Sequence, residues 1–320
     1  VFNSQTKLSD SYRQSKINPK SIAHENTILN IKQGQLLPIN DCGKCNYGEL
    51  LVAISRQAIT GDDYLAKAEL FRKYGNSISG SREEIAREII ALANKSLALQ
   101  QSAQGYDYRG TGRTWLKDFQ GAIADFDKAI DINPSFAAAY SNRGVAKKNI
   151  GDYQEATFDY TKAINIDPNL SVAYNNRGYI KNQLGDYKGA INDYERALVI
   201  SPLYALAYTN LGVVKSNLGE YKEAISHHNK AIEINPLEAD AYYNRGVVRG
   251  YLGEHKEAII DFTKAVEIDP HDAVSYNNLG VVKSKSGKHK EAIAYYSKAI
   301  NINSQNDIYY NNRGKSKFAI

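Results

Sequence analysis

Cys42 and Cys45 enclose a glycine and a lysine in the spacing that supplies half of a zinc site. A closed site needs a second pair of thiolates or imidazoles at knuckle distance, and none follows. A redox role needs a βαβ setting that the flanks do not suggest, and Asn46 excludes haem attachment. A local disulfide or two free thiols is therefore favoured over metal binding or redox chemistry. His227 and His228 are adjacent, so a helix points them to different sides, whereas chelation from one helix takes an i, i+4 pair. His255 and His289 stand where Tyr153, Tyr187 and Tyr221 occur at the same interval, which marks them as replacements of a turn tyrosine. Arg109-Gly-Thr-Gly-Arg113 has the glycines of a phosphate loop but lacks the Lys-Ser/Thr pair that completes one. No catalytic, cofactor or metal site is expected.

The bulk composition agrees with a folded chain without polyanion affinity. With 42% hydrophobic and 23% charged residues in 320, there is enough apolar surface for a core and more chain than one ordinary domain needs. Forty basic against 35 acidic residues leave a net charge of +5, too small an excess for a nucleic-acid partner to be expected. No apolar run approaches the ~20 residues of a membrane-spanning helix, and the first ten residues do not form a secretory signal. A soluble chain is expected, with a cytoplasmic setting favoured over a processed extracytoplasmic one.

Internal repetition dominates the rest. Gly110, Gly144, Gly178, Gly212, Gly246, Gly280 and Gly314 follow one another at intervals of 34 residues. Pro134, Pro168, Pro202, Pro236 and Pro270 keep the same interval, as do Gly151, Gly185, Gly219, Gly253 and Gly287. Within a unit, the stretch from Ala173 to Leu184 reads as a first helix, which Gly185 ends in the left-handed conformation. Asp186 caps a second helix that stops before Pro202, because the residue preceding proline disfavours the α region. In the preceding unit Asp152 and Glu155 have the spacing of a capping box. One such hairpin cannot bury its apolar face alone, so stability must come from stacking neighbours.

Tyr174, Gly178, Tyr187, Ala190, Tyr194, Ala197 and Pro202 within a 34-residue period resemble the tetratricopeptide repeat, in its Asn-Arg-Gly variant. The resemblance implies an all-α fold: a right-handed α-solenoid superhelix of tandem helix hairpins with a mostly helical N-terminal extension. The expected organisation is an extended or partly helical arm over 1–46 and a helical region over 47–102, which includes a degenerate repeat. Six repeats over 103–306 and a capping helix or the start of a further repeat over 307–320 follow. Within the extension, Ser81 and Glu84 form a capping box that opens a helix running to about Leu99. In this family the first helices line a concave groove. Carried over by repeat position, that lining includes Asn142, Asn176, Asn210, Asn244, Asn278 and Asn312, with Tyr179 between two of the rungs. Each amide offers two donors and an acceptor, so such a row can hold the main chain of an extended peptide. The alternative is that these asparagines contact adjacent repeats. A chaperone-tail carboxylate clamp is not expected, because its positions hold Ala138, Val172 and Leu206.

The repeats also supply their own covariation. Arg109, Arg143, Arg177 and Arg245 each stand 16 residues before an acid, Asp125, Asp159, Asp193 and Asp261. Where the arginine becomes Leu211 or Leu279, the acid becomes His227 or Tyr295, so an ion pair between the two helices of a repeat is replaced as a unit. The expected function is a non-catalytic interaction scaffold or assembly factor with a protein or peptide partner in its groove, as a subunit of a larger complex. The other reading is the regulatory or substrate-recruiting part of an enzyme whose catalytic part lies elsewhere.

Overall fold

The computed structural model describes residues 29–32, 35–37, 60–74 and 81–320, and among these it holds fifteen α-helices and one β-hairpin. Strand β1 (Leu29–Lys32) runs antiparallel to β2 (Gln35–Leu37), with Leu29 opposite Leu37 and Lys32 opposite Gln35. Leu29 and Ile31 alternate with polar residues, the period of a strand. These strands fall in the segment read from sequence as an extended or partly helical arm. Cys42 and Cys45 lie outside the described residues, as does the first of the two helices read between Tyr47 and Tyr74.

The described residues fall into two compact units that divide after Ile180. The first contains α1 (Gly61–Tyr74), α2 (Arg82–Leu99), α3 (Ala103–Trp115), α4 (Phe119–Ile132), α5 (Ala137–Asn149), α6 (Tyr153–Ile166) and most of α7 (Ser171–Gln183). The second contains α8 (Tyr187–Ile200), α9 (Ala205–Asn217), α10 (Tyr221–Ile234), α11 (Ala239–Tyr251), α12 (His255–Ile268), α13 (Ala273–Lys285), α14 (His289–Ile302) and α15 (Asp307–Phe318). Both are solenoid segments of tandem helix pairs.

Local chemistry explains the boundaries. The Ser81 hydroxyl accepts from the Glu84 amide at 3.2 Å while the Glu84 carboxylate accepts from the Ser81 amide at 2.8 Å, a complete capping box at the start of α2. The Asp152 box predicted from spacing is only half formed. Asp152 accepts from the Glu155 amide at 3.2 Å, but Glu155 turns to Lys147 at 3.2 Å, and the Asp152 amide donates to the Lys147 carbonyl at 3.0 Å. Gly151, Gly185, Gly219, Gly253 and Gly287 all have φ between 75° and 84°. In the first repeat that turn position is Lys117, at φ 64°. Left-handed backbone costs a side-chain-bearing residue ~1 kcal/mol or more, so Lys117→Gly is expected to raise the thermal midpoint. An unchanged or lower midpoint would refute this.

Packing within each hairpin rests on the close approach of a glycine to an aromatic. A Cβ added at Gly110, Gly144, Gly246 or Gly280 would meet Phe126, Tyr160, Phe262 or Tyr296 at 3.0 Å or less. The equivalent partner of Gly212 is His228. Phe126, Tyr160 and Phe262 are fully buried, so each forms the centre of its hairpin.

Three of the four predicted ion pairs are present and larger than spacing alone suggested. Arg143 reaches the fully buried Asp159 at 2.6 and 2.9 Å, and Lys147, one turn further along α5, reaches the same carboxylate at 3.0 Å. Arg109 and Arg113 share Asp125 at 2.6 and 2.8 Å, and Arg245 and Arg249 share Asp261 at the same distances. Each of the three arginines that opens a pair also lies over the tyrosine one turn before it, as with Arg143 over Tyr140 at 5.4 Å. Arg177 and Asp193 belong to different units. Within its own, Arg177 donates to Thr161 at 3.1 Å, while Lys181 reaches Asp193 at 2.8 Å. In the repeats with Leu211 and Leu279, His227 stacks on Tyr208 and Tyr295 on Tyr276, and the second cation turns outward, Lys215 to Glu220 and Lys283 to Glu291, both at 2.6 Å.

Candidate partner-binding groove

Helical periodicity puts the ladder asparagines at one place on successive first helices, and the structure shows what their amides touch. In the first unit, Asn142 is half-buried and donates from Nδ2 to Asp107 Oδ1 at 2.8 Å, one residue more than a repeat away. Asn176 is 1% exposed, and its Nδ2 has no hydrogen-bond partner. Tyr179 is half-buried with the Lys148 ammonium over its ring at 4.7 Å. In the second unit, Asn210, Asn244 and Asn278 are all fully buried. Asn278 donates to the Tyr243 hydroxyl at 3.1 Å and accepts from Asn277 at 3.2 Å, while the half-buried Asn312 donates to Asn277 at 3.0 Å.

The row therefore interlocks with a second row that sequence reading passed over, which starts at Asp107 in the first repeat and then takes the residue just before each rung from Asn142 to Asn278. Asp107, Ser141, Asn175, Thr209, Tyr243 and Asn277 recur at the same 34-residue interval, and all are buried. Three rungs reach this second row at a separation of 35 residues, so neighbouring first helices are joined by hydrogen bonds from the asparagine amides. Polar residues aligned 35 apart were a signal available in the sequence. The four buried rungs present little surface, whereas Asn142 and Asn312 are partly open.

In the first unit the same face carries a cleft of about 520 Å³. Asn142 and Asp107 line it, with Glu69 and Arg72 of α1 on one side and Phe136 and Leu170 on the apolar side. Arg72 forks onto Glu69 at 2.7 and 2.8 Å, and the Tyr108 hydroxyl donates to the same carboxylate at 2.8 Å. Asp107 is 7% exposed. Burial pushes its carboxyl up to about 6, against the opposing pull of the Asn142 amide and the Arg72 guanidinium. Ala138 and Val172, where a carboxylate clamp would need basic or amide groups, are apolar walls of this cleft.

The other residues with chemical potential are absorbed into packing. His228 is fully buried with both ring nitrogens unpartnered, and burial brings its imidazole down to about 3. His227 is lowered by its own burial, and His289 Nδ1 lies 3.3 Å from the Ser284 hydroxyl. Arg109-Gly-Thr-Gly-Arg113 sits within helix α3, with both arginines on Asp125, so it forms no loop. No three His, Cys, Asp or Glu residues stand together as a metal set among the described residues. Among them, too, no helix is long and apolar enough to cross a membrane.

Models of the tetratricopeptide repeat match residues 137–170, 159–192, 203–271 and 237–305, and a TPR repeat model matches 116–151 and 178–219, which together span 116–305. The chain belongs to the tetratricopeptide repeat family. No curated protein matches this tetratricopeptide repeat chain. Among solved structures, a chain of the APC/C hetero-tetramer Cut9-Hcn1 is similar at TM-score 0.69 and 18% identity, over 84% of this chain and 51% of that one. The present chain thus spans about half the length of that relative. PilF of Pseudomonas aeruginosa is similar at TM-score 0.59 and 18% identity, covering 67% of this chain and 97% of its own. A tetratricopeptide repeat protein from Parabacteroides merdae is similar at 0.58 and 18%, over 80% and 98%. These likenesses concern the tetratricopeptide repeat fold.

Proposed function

We propose that this tetratricopeptide repeat chain is a non-catalytic scaffold or assembly factor that holds a segment of a partner protein along its first helices, as a subunit of a larger complex. The observation that carries the reading is the cleft of the first unit, where the partly open Asn142 amide and the carboxylate it bonds stand among apolar walls. A few fixed polar groups on a largely apolar concave surface are the usual make-up of a recognition site. In this reading the array over 103–306 is the binding body, 47–102 extends it with the α1–α2 hairpin, and 307–320 caps it.

The test is selection of a displayed random-peptide library on the full chain, followed by affinity measurement on the natural chain and on Asn142→Ala and Asn176→Ala. Asn142→Ala is expected to weaken the selected peptides about tenfold, the effect of one or two lost hydrogen bonds, and the buried Asn176→Ala much less, with helical circular dichroism retained in both. Peptides held equally by folded variants would remove the asparagine row from the binding site.

A further inference from the structure

We infer that the cleft of the first unit is a cation subsite, which takes a lysine or arginine side chain of the partner segment with Asp107 as its counter-charge. The inference rests on the reading of the groove as a peptide site and adds the chemistry of one partner residue.

Three observations point to it. First, the charges lining the cleft do not cancel. Two acids, Glu69 and Asp107, face one cation: Arg72 forks onto Glu69 through two hydrogen bonds and acts on Asp107 only through space, and the hydrogen-bond donor of Asp107 is the neutral Asn142 amide. Second, the acid is peculiar to this repeat. The same position holds Ser141, Asn175, Thr209, Tyr243 and Asn277 in the others. Asn278 and Asn312 donate to the neutral Tyr243 and Asn277, so the hydrogen bond from the amide does not require a carboxylate. A nearly buried charge that its own hydrogen bond does not require is costly without an opposite charge. Third, the cleft has the shape for such a ligand. At about 520 Å³ it admits a long side chain, and Phe136, Ala138 and Leu170 offer apolar wall to an aliphatic stem whose charged end reaches the acid. The raised carboxyl of Asp107 is what a site awaiting a cation shows, since a bound ammonium or guanidinium would bring it back down.

The test uses the peptides selected on the full chain, each remade with norleucine or citrulline in place of any recurrent lysine or arginine. Affinities are measured by fluorescence anisotropy on the natural chain and on Asp107→Asn, which keeps the shape and can still accept from Asn142. The expected result is a lysine or arginine fixed at one position, whose neutral replacement weakens binding about tenfold or more on the natural chain and changes nothing on the folded Asp107→Asn chain. Peptides selected without a recurrent basic residue, or bound equally in charged and neutral forms, overturn the cation subsite and leave the groove reading standing. A charge preference that persists on Asp107→Asn overturns the assignment of Asp107. If no peptide is enriched at all, the groove reading falls and the subsite with it. The comparison on the natural chain decides for or against the cation subsite even if the variant does not fold.

Discussion

Asp261→Ala is expected to lower the unfolding free energy by about 3–5 kcal/mol, while the double substitution Arg245→Leu with Asp261→Tyr changes it by about 1 kcal/mol or less. Asp261 is fully buried and is the shared acceptor of Arg245 and Arg249, at 2.6 and 2.8 Å. Removing it strands two guanidiniums between α11 and α12. Asn229 still accepts from Arg245 at 2.6 Å, and Glu254 stands 3.9 Å from Arg249, but neither replaces the inner carboxylate. The double substitution supplies the Leu279 and Tyr295 of the next repeat, where Leu279 is buried and Tyr295 stacks on Tyr276 at 6.5 Å, and leaves Arg249 to turn outward towards Glu254 as Lys283 turns to Glu291. Urea titration followed by helical circular dichroism measures both. A loss below about 1 kcal/mol for the single variant, the value of an ordinary surface pair, would show that the cluster does not hold the hairpin. Because each repeat leans on its neighbours, the loss should also appear as a less cooperative transition.

His228 sets the second large expectation, in pH. Its imidazole falls from 6.5 to about 3 in the folded chain because burial disfavours the charged form. The unfolded chain therefore binds the proton first, and stability is lost as pH falls below the unfolded value. The contribution is constant above pH ~6.5 and declines by about 1.4 kcal/mol per pH unit towards pH ~3, so that about 2 kcal/mol is gone at pH ~5. His228→Phe, the residue that holds the same place as Phe126 and Phe262, abolishes that component. It also removes two buried, unpartnered ring nitrogens, which should raise stability at neutral pH by about 1–3 kcal/mol. Carboxylates titrate in the same range in both chains, so the quantity to follow is the difference between variant and natural chain from pH ~7 to ~4. A difference that stays constant over that range would mean that His228 is not held neutral by burial.

The two expectations differ in how far the sequence anticipated them. The arginine–aspartate pairs were readable because a repeat protein carries its own alignment: 16 residues separate the partners in every repeat that has them, and the partners vanish together. The same alignment placed His228 where other repeats have aromatics, but it could not say that the ring would find no partner there. Turn glycines and helix caps were readable for a different reason. Left-handed backbone and unsatisfied helix-end amides are requirements of the local chain, so residue type and spacing are enough. The helix opened by Ser81 was read to about Leu99 from its apolar spacing, and α2 ends there. The Asp152 box shows the limit of local rules, since Lys147, eight residues before Glu155, competes for its carboxylate.

The fold family, the 34-residue hairpin and the cross-helix ion pairs were determined by the sequence alone, because each depends on contacts within a single period of the chain. The tertiary structure decided the rest. The offset of 35 that joins Asn142 to Asp107 and Asn312 to Asn277 is set by the angle at which one first helix stacks on the next. That same stacking buries Asn210, Asn244 and Asn278 and leaves Asn142 at the edge of a cleft. Periodicity assigns equivalent residues to equivalent places on their own helices. How much water reaches each is determined by the neighbours, and the neighbours are not equivalent.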